Sequence, residues 1–265
     1  MRRACGLMQI ARTTVRRVLD ETGENAALKV RIIDLAHARR RFGCRRIHDL
    51  LRREGVAANH KRIYRLYSEA ALSVRKRRRR KLVMVDRQAL SVPARPNEVW
   101  SIDFVMDALA NGRRIKCLTV VDDFTRECLD IAVDFGSGGA SVAAVLDRIG
   151  QFRGLPKAIR TDQGPEFTSW ALDRWAYSRA VDLKLIAAGK PTQNAYIESF
   201  NGKFRDECLN NHYFSNLAHA RAVIAAWRRD YNEARPHSSI GRIPPAEFAL
   251  RHRLRAGNDA TREIV

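Results

Sequence analysis

A mixed α/β domain in the order βββαβαβα, preceded by an all-α basic helix-turn-helix region, is the fold class this sequence predicts. Three observations predict it. Charge divides the chain: residues 1–96 carry 26 Lys and Arg against 8 Asp and Glu, whereas 97–265 carry 23 against 21. The apolar residues change period near the same place, from helical spacing before residue 75 to alternation and short apolar runs after 97. Between the first two alternating runs stands Asn111-Gly112, a strong short-range signal for a hairpin.

Residues 1–20 read as a pair of short helices around Ala11-Arg12-Thr13-Thr14. Cys5, Leu7, Met8 and Ile10 supply the first, Val15, Val18 and Leu19 the second, with Thr13 or Thr14 as its cap. Three helices follow over 26–72. Leu28, Ile32, Ile33 and Leu35 mark the first, which Gly43 ends; Ile47, Leu50 and Leu51 mark the second. Gly55-Val56 makes a turn, and Asn59 caps a third helix bearing Ile63, Leu66 and Tyr67. Two short helices about a Gly-containing turn form a helix-turn-helix. His60, Lys61, Arg62 and Arg65 lie early on its last helix, where a recognition helix presents side chains to DNA. A merely structural basic bundle would share the pattern, and the charge excess favours DNA. Arg75 to Lys81 is an unbroken basic run that includes Arg77, Arg78, Arg79 and Arg80. Self-repulsion makes it an extended, phosphate-gripping linker. Pro93 and Pro96 close it, giving a domain plan of 1–74, linker 75–96, core 97–250 and tail 251–265.

In the core, strands are expected over 99–109, 115–121, 129–135, 157–161 and 183–187, with helices over 140–152, 168–179, 195–209 and 215–231. Asp103 falls within the first strand and Asp162 at the C-terminal end of the fourth, where ligand-binding groups collect in open α/β sheets. Glu198 follows Asp162 after 35 intervening residues and lies on a helix. Asn194, Asn201 and Arg205, at i−4, i+3 and i+7, share its face. A face of one carboxylate, two amides and a cation suits metal and phosphate rather than a core. Three hard oxygen donors suit Mg²⁺, and two such ions can clamp an in-line displacement at phosphorus. Asp122 and Asp123, a rival pair, read as turn residues, and Trp100, Trp170, Trp175 and Trp227 as core. The five cysteines are scattered and contain no Cys-x-x-Cys, which argues against a disulfide framework or zinc site and for a reducing cytoplasm. No apolar run approaches the ~18–20 residues of a membrane span.

Several long motifs carry a resemblance to a known family. They are Arg39-Arg40-Arg41-Phe42-Gly43-Cys44-Arg45-Arg46-Ile47, Trp100-Ser101-Ile102-Asp103-Phe104, Val120-Val121-Asp122-Asp123-Phe124-Thr125-Arg126, Asp162-Gln163-Gly164-Pro165-Glu166-Phe167, Gln193-Asn194-Ala195-Tyr196-Ile197-Glu198-Ser199-Phe200-Asn201-Gly202 and Tyr231-Asn232-Glu233-Ala234-Arg235-Pro236-His237. In this order they resemble the integrase-type (OrfB) subunit of the IS-three group of bacterial insertion-sequence transposases, relatives of retroviral integrases. The resemblance spans nearly the full length. It implies an RNase H-like catalytic core in which Asp103, Asp162 and Glu198 form a D,D(35)E triad holding two Mg²⁺ ions, with Mn²⁺ as a substitute. Arg205 would hold DNA phosphate, with Lys190, Asn194 and Asn201 as further contacts. The implied reactions are cleavage at the element's ends and transfer of the 3′-OH to target DNA. The implied partners are element-end and target DNA, further copies of the chain on that DNA, and an upstream-frame subunit as fusion or partner, in a bacterial cytoplasm at the nucleoid. Departures occur at Cys44, where an aromatic is expected, at Gln163 in place of Asn, and at Ala187-Ala188 in place of Arg-Pro. A catalytically impaired DNA-binding regulator is the alternative that the lost Arg favours. A ribonuclease acting on RNA–DNA hybrids is a third reading, which the basic first third disfavours.

Overall fold

The computed structural model describes residues 2–9, 23–74, 93–186 and 194–262. Contacts divide the chain into two compact units, Met1–Arg78 and Arg79–Val265.

In the first unit, α1 spans Arg2–Leu7, α2 Gly23–Ala38, α3 Cys44–Arg53 and α4 His60–Glu69. Leu28, Ile32 and Leu35 recur on one face of α2 and meet Ile47, Leu50 and Leu51 of α3 and Ile63, Leu66 and Tyr67 of α4. Asn59 caps α4 by accepting from the Lys61 amide at 2.9 Å, and Gly55 turns the chain with φ +85°. Arg31 grips Glu54 with two hydrogen bonds, at 2.6 and 2.9 Å, and so ties α2 to the end of α3. Gly43 does not end α2 as expected. That helix stops at Ala38, and Gly43 (φ −81°, ψ 169°) is the N-cap of α3. The intervening residues turn so that the Phe42 ring enters the core. The second of the two short helices expected before residue 20 lies outside the described residues, as does the basic run 75–81.

The second unit is built in the expected order. Its strands are β1 Val99–Ala108, β2 Arg114–Asp122, β3 Cys128–Asp134, β4 Ala158–Thr161 and β5 Asp182–Leu185. Its helices are α5 Gly139–Arg153, α6 Trp170–Ser178, α7 Ala195–Glu207, α8 Leu217–Glu233 and α9 Pro245–Arg262, so the boundary expected at 250 falls inside a helix. The sheet runs β3-β2-β1-β4-β5. β1, β2 and β3 are antiparallel, whereas β4 joins β1, and β5 joins β4, in parallel. Leu109 and Arg113 close the first hairpin, with Gly112 at φ +80° and the Asn111 side chain accepting from the Arg113 amide.

Alternation along β1 and β2 sorts residues between two cores. Trp100, Ile102, Leu118 and Val120 face α5 and α6, which contribute Val142, Leu146, Ile149, Leu172 and Trp175. Val105, Cys117 and Val121 face α7 and α8, which contribute Ile197, Phe200, Phe204, Ile224 and Tyr231. Of the four tryptophans, Trp170 is not core. It stands 73% exposed at the start of α6, whose inward stripe is Leu172, Trp175 and Ala176, and Arg174 one turn on lies over its ring.

β3 is an edge strand, and α8 satisfies its outer backbone groups. Asn232 accepts from the Cys128 amide and donates to the Cys128 carbonyl, both at 2.9 Å. Arg221 donates to the Val133 carbonyl at 2.9 Å, and Arg228 to that of Leu129. Such side-chain pairing closes an edge that would otherwise template a foreign strand. Just beyond α8, Arg235 is buried and grips Glu207 of α7 in a bidentate pair at 2.6 and 2.7 Å, so the end of α7 is anchored to the α8–α9 connection. Replacing Asn232 by Ala orphans a buried amide and a buried carbonyl together. It should lower the unfolding free energy by about 1–3 kcal/mol, read by chemical denaturation. A change within about 0.5 kcal/mol would show that water takes over both groups.

Candidate active site

β1 and β4 run in parallel, with Ser101 opposite Arg160 as their last pair. Two residues further on, Asp103 still lies within β1, whereas Asp162 is the first residue past the end of β4. The β1–β4 junction thus brings the two aspartates near enough for the Asp162 charge to act on Asp103, which faces α7.

α7 brings the rest. Its Asn201 donates from Nδ2 to Asp103 Oδ2 at 2.8 Å, and the Thr119 hydroxyl, directly across the β1–β2 ladder from Asp103, donates at 3.0 Å to Asn201 Oδ1 or to the Asp103 carbonyl. The Phe104 amide donates to Asp103 Oδ1 at 2.7 Å. Glu198 lies one turn before Asn201 and is exposed, in the first turn of α7. Asp162 is also exposed. Its Oδ1 accepts from the Gly164 amide at 3.0 Å, and Gln163 donates to the Ile186 carbonyl at 3.2 Å.

Asp103 is the carboxylate whose surroundings perturb it. Burial pushes Asp103 up to about 6, and the charges of Asp162 and Glu198 add to that. The Phe104 amide and the Asn201 side chain act against it by favouring the ionised form. One pleat below, Arg160 pairs with Asp123 at 2.8 Å, both side chains almost wholly buried. Burial pushes Asp123 up to about 6 as well, against the Ser101 hydroxyl and the cations Arg160 and Arg126. Asp122 is buried too. It accepts from the backbone amides of Asn97, Phe124 and Thr125 at 2.8–2.9 Å, the turn role expected of it.

Among the described residues, no group of three His, Cys, Asp or Glu side chains is gathered closely enough to hold a metal ion. The donor chemistry at the β1–β4 junction nevertheless fits a hard divalent cation: burial and the charges of Asp162 and Glu198 make Asp103 costly to ionise, and outer hydrogen bonds already orient it.

The other expected contacts sort by position. Arg205, two turns after Glu198, is exposed and donates to the Met106 carbonyl at 3.5 Å. Asn201 supports Asp103 in this structure. Asn194 is buried at the start of α7, its Oδ1 without a hydrogen-bond partner. Lys190 and the Ala187-Ala188 departure lie outside the described residues, as do Arg77, Arg78, Arg79 and Arg80. In the first unit His60 and Lys61 are exposed in the first turn of α4. Arg65 pairs loosely with Glu69 at 3.7 Å. Arg62 is half-buried and spends its guanidinium on α2, with Nε 2.8 Å from Asn25 Oδ1 and a terminal nitrogen 3.5 Å from Glu24. Sequence reasoning missed the Thr119–Asn201–Asp103 relay, which depends on hairpin register. It also missed Lys116 and Glu166, which form a close ion pair on the opposite side of the sheet.

The chain matches the Integrase core domain over residues 93–191, a second family of the same description over 179–245, and an HTH-like domain over 24–81. It is 66% identical over 265 residues to the uncharacterized 31.7 kDa protein of insertion element IS407 from Burkholderia multivorans, covering 100% of this chain and 96% of that protein. It is 59% identical over 259 residues to the uncharacterized 39.2 kDa protein of insertion element IS476 from Xanthomonas euvesicatoria, covering 98% and 75%. A transposase for insertion sequence element IS904 from Lactococcus lactis is 26% identical over 222 residues, covering 78% and 87%. In fold, the chain is similar to a chain of the simian T-cell lymphotropic virus intasome, with a TM-score of 0.52 and 16% identity over 73% of this chain and 67% of that one.

Fold and matches together define an integrase-core protein of RNase H-like architecture that carries a helix-turn-helix-like domain. More narrowly, the chain belongs to the integrase-type (OrfB) subunits of the IS-three group of insertion-sequence transposases.

The geometry fixes how Asp103 titrates. In the metal-free protein it should take up its proton as pH falls through about 6, well above an ordinary aspartate at ~3.9. Asn201 hydrogen-bonds the ionised form, so Asn201→Ala should move that titration upward. Carboxyl-carbon NMR of selectively labelled Asp checks both, and a midpoint that Asn201→Ala leaves in place would remove Asn201 from the relay.

Proposed function

We propose that this chain cuts the 3′ ends of its own insertion element and joins them to target DNA, using Asp103, Asp162 and Glu198 as a D,D(35)E triad. The observation that carries the reading is the convergence at the β1–β4 junction: one carboxylate within β1, a second just past the end of parallel β4, and the helix of the third hydrogen-bonded to the first.

The triad would hold two Mg²⁺ ions, for which Mn²⁺ can substitute. When bound, such ions lower the pKa of an attacking hydroxyl and stabilise the oxygen that leaves phosphorus. Everything else falls to the chain. Asn201 and Thr119 keep the Asp103 carboxylate turned toward α7, and the Gly164 amide fixes one oxygen of Asp162. Arg205 lies two turns along α7, where its guanidinium can take a DNA phosphate. In cleavage, water attacks a phosphodiester and frees a 3′-OH. In joining, that 3′-OH attacks a target phosphodiester and displaces a target 3′-OH, with no bond to the protein.

In the first unit, His60, Lys61 and Arg65 on exposed α4 would contact DNA, with Arg62 bracing the helix. The basic run containing Arg77, Arg78, Arg79 and Arg80 would grip phosphate, and Lys190 and Asn194 would lie near the DNA that enters the triad. Element ends and target DNA are the proposed partners, bound by several copies of the chain, with an upstream-frame subunit supplying end recognition. The proposed compartment is the bacterial cytoplasm, at the nucleoid. No helix among the described residues is long and apolar enough to cross a membrane.

A pre-nicked element end incubated with target DNA and Mn²⁺ tests the reading. Wild type should join, and Glu198→Gln should fall below about 1% of it, beyond the loss expected for an outer-shell residue. DNA affinity should stay unchanged in that variant. Tight DNA binding without joining by wild type, with the upstream subunit added, would favour the regulator instead. Separately, a chain lacking residues 1–96 should show a flatter fall of log affinity with log salt, because most counterion-releasing cations leave with it. An unchanged slope would move the DNA surface into the second unit.

A further inference from the structure

The two faces of β1 offer more than a site and a core. Asp103 points toward α7, so its neighbour Phe104 points toward α5 and α6. There the Phe104 ring stacks on Phe167 at 5.1 Å between centroids and 23° between planes. Phe167 is buried and belongs to the loop that leaves Asp162. Lys116, also on this face of β2, lays its ammonium 4.0 Å from the Phe104 ring centre and closes an ion pair with Glu166. Both side chains are largely shielded, at 13% and 22% exposure, so the pair is worth more than a surface bridge. Lys116 holds the Glu166 carboxyl below the usual range.

The loop from Asp162 to Ser169 transmits what Glu166 does. The amides of Phe167 and Thr168 both donate to the Gly164 carbonyl, at 2.9 and 3.0 Å, and the Gly164 amide donates to Asp162. A Cβ added to Gly164 would stand 3.1 Å from Asp162 Oδ1 and 3.4 Å from Glu166 Oε2, so the two carboxylates flank this one glycine. α6 does not need Glu166 as a cap, because Ser169 accepts from the Leu172 amide.

We propose that Lys116 and Glu166, closed over the Phe104–Phe167 stack, form a clasp behind the sheet that sets the separation of Asp103 and Asp162 in front of it. Glu166 is then a positioning residue, acting through Asp162. This inference rests on the proposed role of the two aspartates as metal ligands.

The test uses the full chain and three variants: Glu166→Gln, Lys116→Met, which keeps an apolar stem on Phe104, and the exchanged pair K116E/E166K. Mn²⁺ affinity is read by electron paramagnetic resonance of the free ion, and loop order by amide hydrogen exchange over residues 162–169. Each single variant should bind Mn²⁺ about tenfold more weakly, the effect of losing an outer support of a ligand. Each should also exchange its loop amides faster, with DNA affinity unaltered. The exchanged pair should regain part of both losses. Wild-type Mn²⁺ affinity and loop protection in Glu166→Gln would overturn the clasp, as would an exchanged pair no better than the single variants. Asp103→Asn separates the two readings. If Mn²⁺ binding does not depend on Asp103, the metal site fails, and loop exchange alone then decides for or against the clasp.

Discussion

The parallel pairing of β1 with β4 is the constraint on which the rest of the second unit depends. β4 has four residues, all buried, and it cannot face water on either side. It is held in place by β1, by β5, and by α5 and α6, against which Ile159 packs. Because parallel neighbours advance together, a register that sets Ser101 against Arg160 delivers the chain to Asp162 beside the stretch of β1 that bears Asp103. The loop that begins at Asp162 has only to hold that position. A one-residue slip would turn one carboxylate into the apolar core on the other face, so burial itself enforces the alignment.

Concentrating negative charge here has a cost that the surrounding residues limit. Asp103 is partly buried and sits near two other carboxylates; burial first, and those charges after it, raise its proton affinity. Amide donors answer part of it, from Phe104 and Asn201. Glu198 lies in the first turn of α7, where the helix dipole favours an anion. Arg160 is committed to buried Asp123 one pleat away, so it does not discharge the pair above it. A site whose charge is oriented but not neutralised by the protein is one that a divalent cation would relieve. That is why the donor set supports the proposed metal chemistry although the three side chains are not drawn together.

Most elements were legible from local patterns, because helix and strand periods, Asn59 as a cap and Asn111-Gly112 as a turn are properties of neighbours in sequence. What local pattern could not supply was register. A two-residue Asn-Gly loop would pair Asp103 with Val120; the longer loop closed by Leu109 and Arg113 pairs it with Thr119, the hydroxyl that steadies Asn201. The same limit hides the partner of Asn201, whose amide is turned toward Asp103. Trp170 and Gly43 failed for another reason. Each was judged by residue type, whereas exposure of one and helix capping by the other follow from which neighbour, Trp175 or Phe42, the core takes instead. The pair of Lys116 and Glu166, 50 residues apart, carried no sequence signal at all.

Charge is distributed to suit a division of labour between the units. Residues 97–265 have nearly as many acids as bases, 21 against 23, and the site they hold is itself acidic. Such a surface would not draw phosphate close to three carboxylates by long-range attraction. Residues 1–96, with 26 bases against 8 acids, carry attraction that is strong and indifferent to sequence. On the proposed reading, binding energy gathered there offsets the repulsion at the triad and brings the scissile phosphate to it. The site is then free to reserve its strongest interactions for the transition state, which is what raises a rate rather than an affinity.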